Sequence, residues 1–112
     1  CAGILADYYE SHGGKVFYFG KPYNQVYKKC LTYLSVVKPT ISSKNVLVIG
    51  DSLETDILGA NKVAIPSLLI ANGIHSKQLC KNNTFSLSLK NLKPLSKEFS
   101  AFPDYLMKSF IF

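Results

Sequence analysis

The sequence predicts an α/β fold, part of a three-layer α/β/α arrangement in which helices cover both faces of a parallel sheet. Three observations carry this expectation. Short apolar runs at Val16 to Phe19, Val46 to Ile49 and Ser67 to Ala71 alternate with segments of helical spacing, the order β-α-β-α-β. The runs lack the polar alternation of a half-exposed strand, as strands buried on both faces do. Two of them end in glycine followed by a charge, Gly20-Lys21 and Gly50-Asp51. In an open parallel sheet the strand ends carry the functional loops, so this lysine and an aspartate should converge at one sheet edge.

Taken in order, Ala2 to Ser11 reads as a short helix with Ile4, Leu5 and Tyr8 on one face, stopped at His12-Gly13-Gly14, where glycine permits a left-handed turn. Val16 to Phe19 reads as the first strand. Pro22 then precedes Val26, Tyr27, Cys30, Leu31 and Leu34 at three-to-four-residue spacing, an amphipathic helix that fades near Val37, before Pro39. Ser42 and Ser43 lead into the strand Val46 to Ile49. After the Ser-Leu-Glu-Thr turn, Asp56 to Val63 reads as a helix broken by Pro66, and Ser67 to Ala71 is a strand running into Asn72-Gly73. Beyond Ser76 the pattern weakens. Asn82 to Ser88 is polar, and Pro103 to Phe112 reads as a short terminal helix docking Phe110 and Phe112 on the core.

At 112 residues, 47% hydrophobic and 18% charged, the chain has enough apolar surface to fold as one domain or part of one. It opens at Cys1 within an apolar helical stretch, which reads as a fragment. No apolar run approaches the roughly 20 residues of a membrane span, and no leader pattern is present. Cys1, Cys30 and Cys80 are odd in number, distant, and form no C-x-x-C pair, as expected of reduced thiols in a cytoplasmic protein. The formal charge of +6 invites a nucleic-acid reading, yet all 13 basic residues are lysine. Without the guanidinium fork, specific nucleic-acid readout is excluded as an expectation, and the dispersed lysines read as a solvated face. The lysine-rich, arginine-free composition also fits an A+T-rich genome.

The chemistry concentrates in a few side chains. Asp51 and Asp56 offer the hard oxygens that magnesium prefers, and Lys21 offers a point charge suited to phosphate oxygens. Together they amount to half of a phosphoryl-transfer site, which works by positioning and charge neutralisation. The other half, a nucleophile, is not evident. Each residue also has a structural reading: Lys21 as a surface lysine, and Asp51 and Asp56 as turn or N-cap residues. His12 and His75 lack partners at ligand spacing and read as surface or turn histidines. The aromatic residues Tyr8, Tyr9, Phe17, Tyr18, Phe19, Tyr23 and Tyr27 read as packing. No G-x-S-x-G and no P-loop spacing occurs.

FGKPY at Phe19 to Tyr23, followed downstream by IGDSLETDILGA at Ile49 to Ala60, resembles the last two signature motifs of the haloacid dehalogenase (HAD) superfamily. The second motif is similar to the subfamily IIA branch, with its p-nitrophenylphosphatase-like, sugar-phosphate and nucleotide phosphatases. The resemblance runs from about Cys1 to His75 and implies the C-terminal half of a Rossmann-like HAD core. It implies Lys21 as the catalytic lysine that stabilises charge around nucleophile and phosphoryl group. Asp51 is implied as a magnesium ligand and Asp56 as a metal-site carboxylate that also orients the lysine. Ser52, Asn72 and Gly73 would line the substrate pocket. Residues 1–15 would be the end of a cap domain or its return helix, and residues 16–112 the C-terminal part of the core. The family's nucleophile lies on a D-x-D motif, and none occurs in these 112 residues. The chain is therefore expected to be inactive alone and to need an N-terminal half, the complete enzyme acting on a phosphorylated small molecule; self-association is a further expectation. Two other readings stand beside it: a non-catalytic α/β module binding a phosphorylated ligand or a protein partner, and a receiver-like phosphoacceptor. The order of lysine before aspartate, with no acidic pair ahead of Asp51, argues against the last.

Overall fold

The structure is a computed structural model that describes residues 2–80 and 89–111. The polar stretch Asn82 to Ser88, Cys1 and Phe112 lie outside the described residues. Helix α1 (Ala2–Ser11) is followed by α2 (Asn24–Val37), β1 (Val48–Gly50), α3 (Leu58–Lys62), β2 (Ser67–Ile70), α4 (Ser76–Leu79), α5 (Leu89–Phe99) and β3 (Tyr105–Met107). The three strands form one parallel sheet in the order β1-β2-β3. Ile49 stands opposite Leu68, and Leu69 opposite Leu106. The expected α/β class is therefore the observed one.

Local sequence accounts for most element ends. Helix α1 stops where Gly13 adopts φ +82°, the left-handed conformation that glycine enters without a Cβ clash. Its apolar face stays exposed, with Ile4, Leu5, Tyr8 and Tyr9 all open to solvent. Helix α2 starts just after Pro22 and turns Tyr27 inward against α3. Before β1, the side chains of Ser42 and Asn45 cap a single 3-10 turn at Ser43–Asn45. Leu53, Ile57, Leu69, Ala71, Leu79, Leu95 and Ala101 form the core, beneath the loop that follows β1.

Two expectations are corrected. Val16 to Phe19 is not a strand but irregular backbone, with Phe17 and Phe19 exposed. The apolar run supplies β propensity, but a strand exists only when a neighbour completes its hydrogen-bond ladder. The β1 edge away from β2 is not taken by this run. The second correction concerns the C-terminus. Tyr105–Met107, expected within a helix, is β3, parallel to β2. Its entry is anchored from a distance: the Asp104 carboxylate accepts hydrogen bonds from the Ser67 amide (2.8 Å) and hydroxyl (3.2 Å). The preceding α5, which the sequence reading passed over, packs through Leu92, Leu95 and Phe99, a helical spacing interrupted by Pro94.

Ser67 is fully buried, so removing its acceptor leaves buried donors without a partner. Asp104→Ala is therefore expected to lower the unfolding free energy by about 1–3 kcal/mol in chemical denaturation. Asp104→Asn, which keeps an acceptor oxygen, should recover part of that loss.

Among the described residues no helix is long and apolar enough to cross a membrane. Cys30 and Cys80 are free thiols.

Candidate functional site

The loops leaving the carboxyl ends of β1 and β2 lie side by side, and the segment before α2 reaches the first of them. In the first loop, the Ser52 carbonyl accepts from both the Asp56 amide (3.0 Å) and the Ile57 amide (3.1 Å), which widens Leu53–Ile57 into a π-type turn. Such wide turns re-aim side chains that a regular helix would place elsewhere. The Ser52 hydroxyl caps the turn by accepting from the Thr55 amide at 3.2 Å. Leu53 and Ile57, both fully buried, fix the loop onto the core. The helix expected from Asp56 thus begins as this turn and continues as α3.

Asp56 is buried, at 5% exposure, and both of its carboxylate oxygens are engaged. Oδ1 accepts from the Lys21 ammonium at 2.5 Å, and Oδ2 accepts from the Ser52 amide at 3.1 Å. The Lys21 side chain is half exposed, so its head stands at the surface with one side neutralised. Lys21 enters through a cis peptide to Pro22. The Tyr27 hydroxyl lies against the same turn, shared between the carbonyls of Asp56 (3.2 Å) and Thr55 (3.3 Å). Burial, reinforced by the negative charge of Asp56, pushes the Tyr27 phenol above its usual range and keeps it a donor.

Asp51 starts the same loop but points to the other one. Its Oδ2 accepts from the Ile74 amide at 3.1 Å, while Oδ1 accepts no hydrogen bond among the described residues. Gly73 packs against this carboxylate and Gly50 against that of Asp56 so closely that a Cβ at either would overlap the acid. Backbone thus approaches both aspartates from the strand ends. Asn72 behaves differently: its amide donates to the Lys108 carbonyl at 2.8 Å, continuing the β2–β3 pairing, and the residue is exposed.

The fold thus joins Lys21 directly to Asp56, ties Ser52 to Asp56 through the backbone, and sets Gly73 against Asp51. Two participants escaped the sequence reading. The helical spacing of Tyr27 signals packing alone and gives no sign of a role for its hydroxyl. His75, read as a surface or turn histidine, does lie in a turn but is buried at 5% exposure. Its Nε2 accepts from the Leu53 amide at 3.1 Å, and Phe99 of α5 packs on its ring, 5.4 Å between centroids. The signal in the sequence is its place two residues beyond Gly73, in the turn that follows β2.

Burial pushes the His75 imidazole below 6.5, partly opposed by the carboxylates of Asp51, Glu98 and Glu54. The unfolded chain then takes up this proton near 6.5 while the folded chain resists it, so stability falls as pH drops through 6.5 and gains nothing from this group above it. Denaturation midpoints measured at pH 7.5 and at pH 5.5 should therefore fall further in the native chain than in His75→Gln, which has no proton to gain.

A strand-end site over a parallel sheet places the chain among Rossmann-like α/β proteins that carry charged residues on adjoining βα loops. Comparison makes the class specific: residues 18–93 match the model of the HAD-hydrolase-like family, and the chain belongs to that family, in its subfamily IIA branch. The ribonucleotide monophosphatase NagD of Escherichia coli K12 is 29% identical over 76 residues, which are 68% of this chain and 28% of that enzyme. A HAD-superfamily protein of Cytophaga hutchinsonii, described as a "possible sugar phosphatase", is 28% identical with TM-score 0.66, over 96% of this chain and 34% of that one. A haloacid-dehalogenase-like hydrolase of Brucella suis is 25% identical with TM-score 0.66, over 99% of this chain and 37% of that one. The p-nitrophenyl phosphatase of Archaeoglobus fulgidus shares the fold, with TM-score 0.67 at 20% identity. The chain thus spans roughly a third of the length of these proteins.

Proposed function

We propose that the complete protein is a magnesium-dependent phosphohydrolase that cleaves a phosphate monoester through an aspartyl-phosphate, and that these residues supply its lysine and metal-binding half. The observation that carries this reading is the Lys21–Asp56 ion pair at the loop that Asp51 opens, where Asp51 Oδ1 accepts no hydrogen bond among the described residues. Lys21 neutralises oxygens of the phosphoryl group, and Asp56 holds the ammonium in place by giving up both its oxygens to Lys21 and Ser52. Ser52 and Gly73 border the phosphate, with Asn72 at the outer margin.

Asp51 is the direct magnesium ligand in this reading, with Asp56 supporting the site through the lysine and the loop. The donor set fits the ion. Among the described residues no group of three or more His, Cys, Asp or Glu side chains surrounds a common point. Magnesium needs no such cage, since it keeps water and binds through one or two carboxylates plus substrate phosphate. When bound it would neutralise charge building on the phosphoryl oxygens. The phosphatases among the similar proteins support a phosphorylated small molecule as substrate.

The nucleophile and acid/base carboxylates come from outside these residues, in which no D-x-D occurs. Residues 1–15 are the end of a cap domain or its return, and residues 16–112 belong to the core. Helix α1, which buries none of its residues, supports that division, and hydrogen bonds from the Tyr18 hydroxyl to Asp7 (2.9 Å) and Glu10 (3.2 Å) link the two parts. The partly exposed Leu47 and Ile49 around β1 support a covering N-terminal half as the partner.

Two assays test this. Titration with inorganic phosphate in the presence of magnesium should give saturable binding that Asp51→Asn and Lys21→Ala each abolish; binding that survives either substitution overturns the half-site. Hydrolysis of p-nitrophenyl phosphate by this chain alone should not exceed that of its Asp51→Asn variant. Turnover abolished by Asp51→Asn would mean that a residue of this chain acts as nucleophile.

A further inference from the structure

The loop that carries both aspartates is held from outside as well as from within. Its internal bonds are the Ser52 amide to Asp56 and the Thr55 amide to the Ser52 hydroxyl. The intervening Leu53 amide, at the start of the turn and therefore without an intrahelical acceptor, is taken by the ring of His75 at 3.1 Å. In the reverse direction the Ile74 amide donates to Asp51 at 3.1 Å. The β1 and β2 loops are thus cross-linked twice, once at Asp51 and once between the aspartates. Leu53 is fully buried, so water has no route to replace the imidazole as acceptor. The ring is in turn oriented by Phe99, which brings α5 into the support of this loop.

We infer that His75 is a positioning residue of the half-site: through Nε2 it accepts the Leu53 amide and sets the backbone between Asp51 and Asp56 at the separation that their two roles require. This inference rests on the magnesium–phosphate reading above. The neutral ring carries its proton on Nδ1, leaving Nε2 as the acceptor. Loss of the acceptor leaves a buried amide unpaired, and the turn relieves this by rotating Leu53 toward solvent, which swings Asp51 and Asp56 apart. The chemical requirement is an acceptor at the Nε2 position, and glutamine places its amide oxygen there while leucine offers none.

Manganese, as a paramagnetic stand-in for magnesium, is titrated into the whole 112-residue chain and into its Asp51→Asn, His75→Gln and His75→Leu variants, with binding read by electron paramagnetic resonance and folding by thermal unfolding. The expected result is saturable binding lost in Asp51→Asn, weakened about tenfold in His75→Leu and restored to within about threefold of the native chain in His75→Gln, the scale of outer-sphere effects at metal sites. Equal affinity in the native chain and a folded His75→Leu overturns the role of His75 while leaving the metal reading intact, as does a folded His75→Gln as weak as His75→Leu. No binding by the native chain overturns the metal reading itself, and this one with it. Should His75→Leu fail to fold, nitrogen NMR of the native chain decides: a coupling between the Leu53 amide nitrogen and His75 Nε2 supports the acceptor role, and its absence overturns it.

Discussion

Gly50→Ala is expected to disable the half-site while leaving the sheet paired. Gly50 closes β1 opposite Leu69, and a methyl group there would occupy the space of the Asp56 carboxylate. Asp56 cannot yield cheaply, because its two oxygens are bound to Lys21 and to the Ser52 amide, and the residue is buried. The side chain must rotate away, releasing Lys21 and the first bond of the loop. Overpacking of this kind costs about 1–3 kcal/mol, which chemical denaturation would read as a lower midpoint with an unchanged slope. Phosphate affinity in the presence of magnesium should fall at least about tenfold, the scale expected when the support of a metal site is lost. A Gly50→Ala chain that keeps both its stability and its phosphate affinity would show that the close approach of strand and acid is not a constraint on the site.

Leu53→Ala should have the larger effect on stability. Leu53 is fully buried in the core between the site loop and β2, and truncating such a side chain removes apolar contacts and leaves a cavity, costing about 2–5 kcal/mol. Leu79→Ala provides the comparison, since Leu79 is buried to the same degree but belongs to α4. Both variants should lose similar stability in denaturant, while Leu53→Ala alone should also lose phosphate binding, because only Leu53 lies on the backbone joining Asp51 to Asp56. Equal losses of binding in the two variants would point to global loosening of the core.

Both expectations depend on residues whose importance differs in how it could be read. Gly50 and the Asp51–Asp56 spacing were legible in the sequence, because a β-branched run ending in Gly-Asp announces a strand end, and strand ends in a parallel sheet face one side. Lys21 was legible for the same reason, although the run before it does not form a strand. Its place is secured by the bond to Asp56 and by α2, which begins just beyond it. The local pattern singled out the lysine that pairs with Asp56 but assigned it to a strand that does not form.

The sequence by itself determined the alternation of apolar runs and helices, the ends of α2 and β2, and the charged residues at the strand ends, since each follows from side-chain periodicity, from proline and glycine geometry or from a local cap. The tertiary structure decided what depends on a distant neighbour. Tyr105–Met107 became a strand because β2 offered a free edge and Ser67 a partner for Asp104, neither of which lies nearby in the chain. Val16 to Phe19 stayed irregular because none of the described strands paired with it. Asp56 became the holder of Lys21, and His75 a buried acceptor for Leu53, because hydrogen-bond partners are chosen by what the fold brings within 3 Å or so, a selection that no local pattern of residue types records.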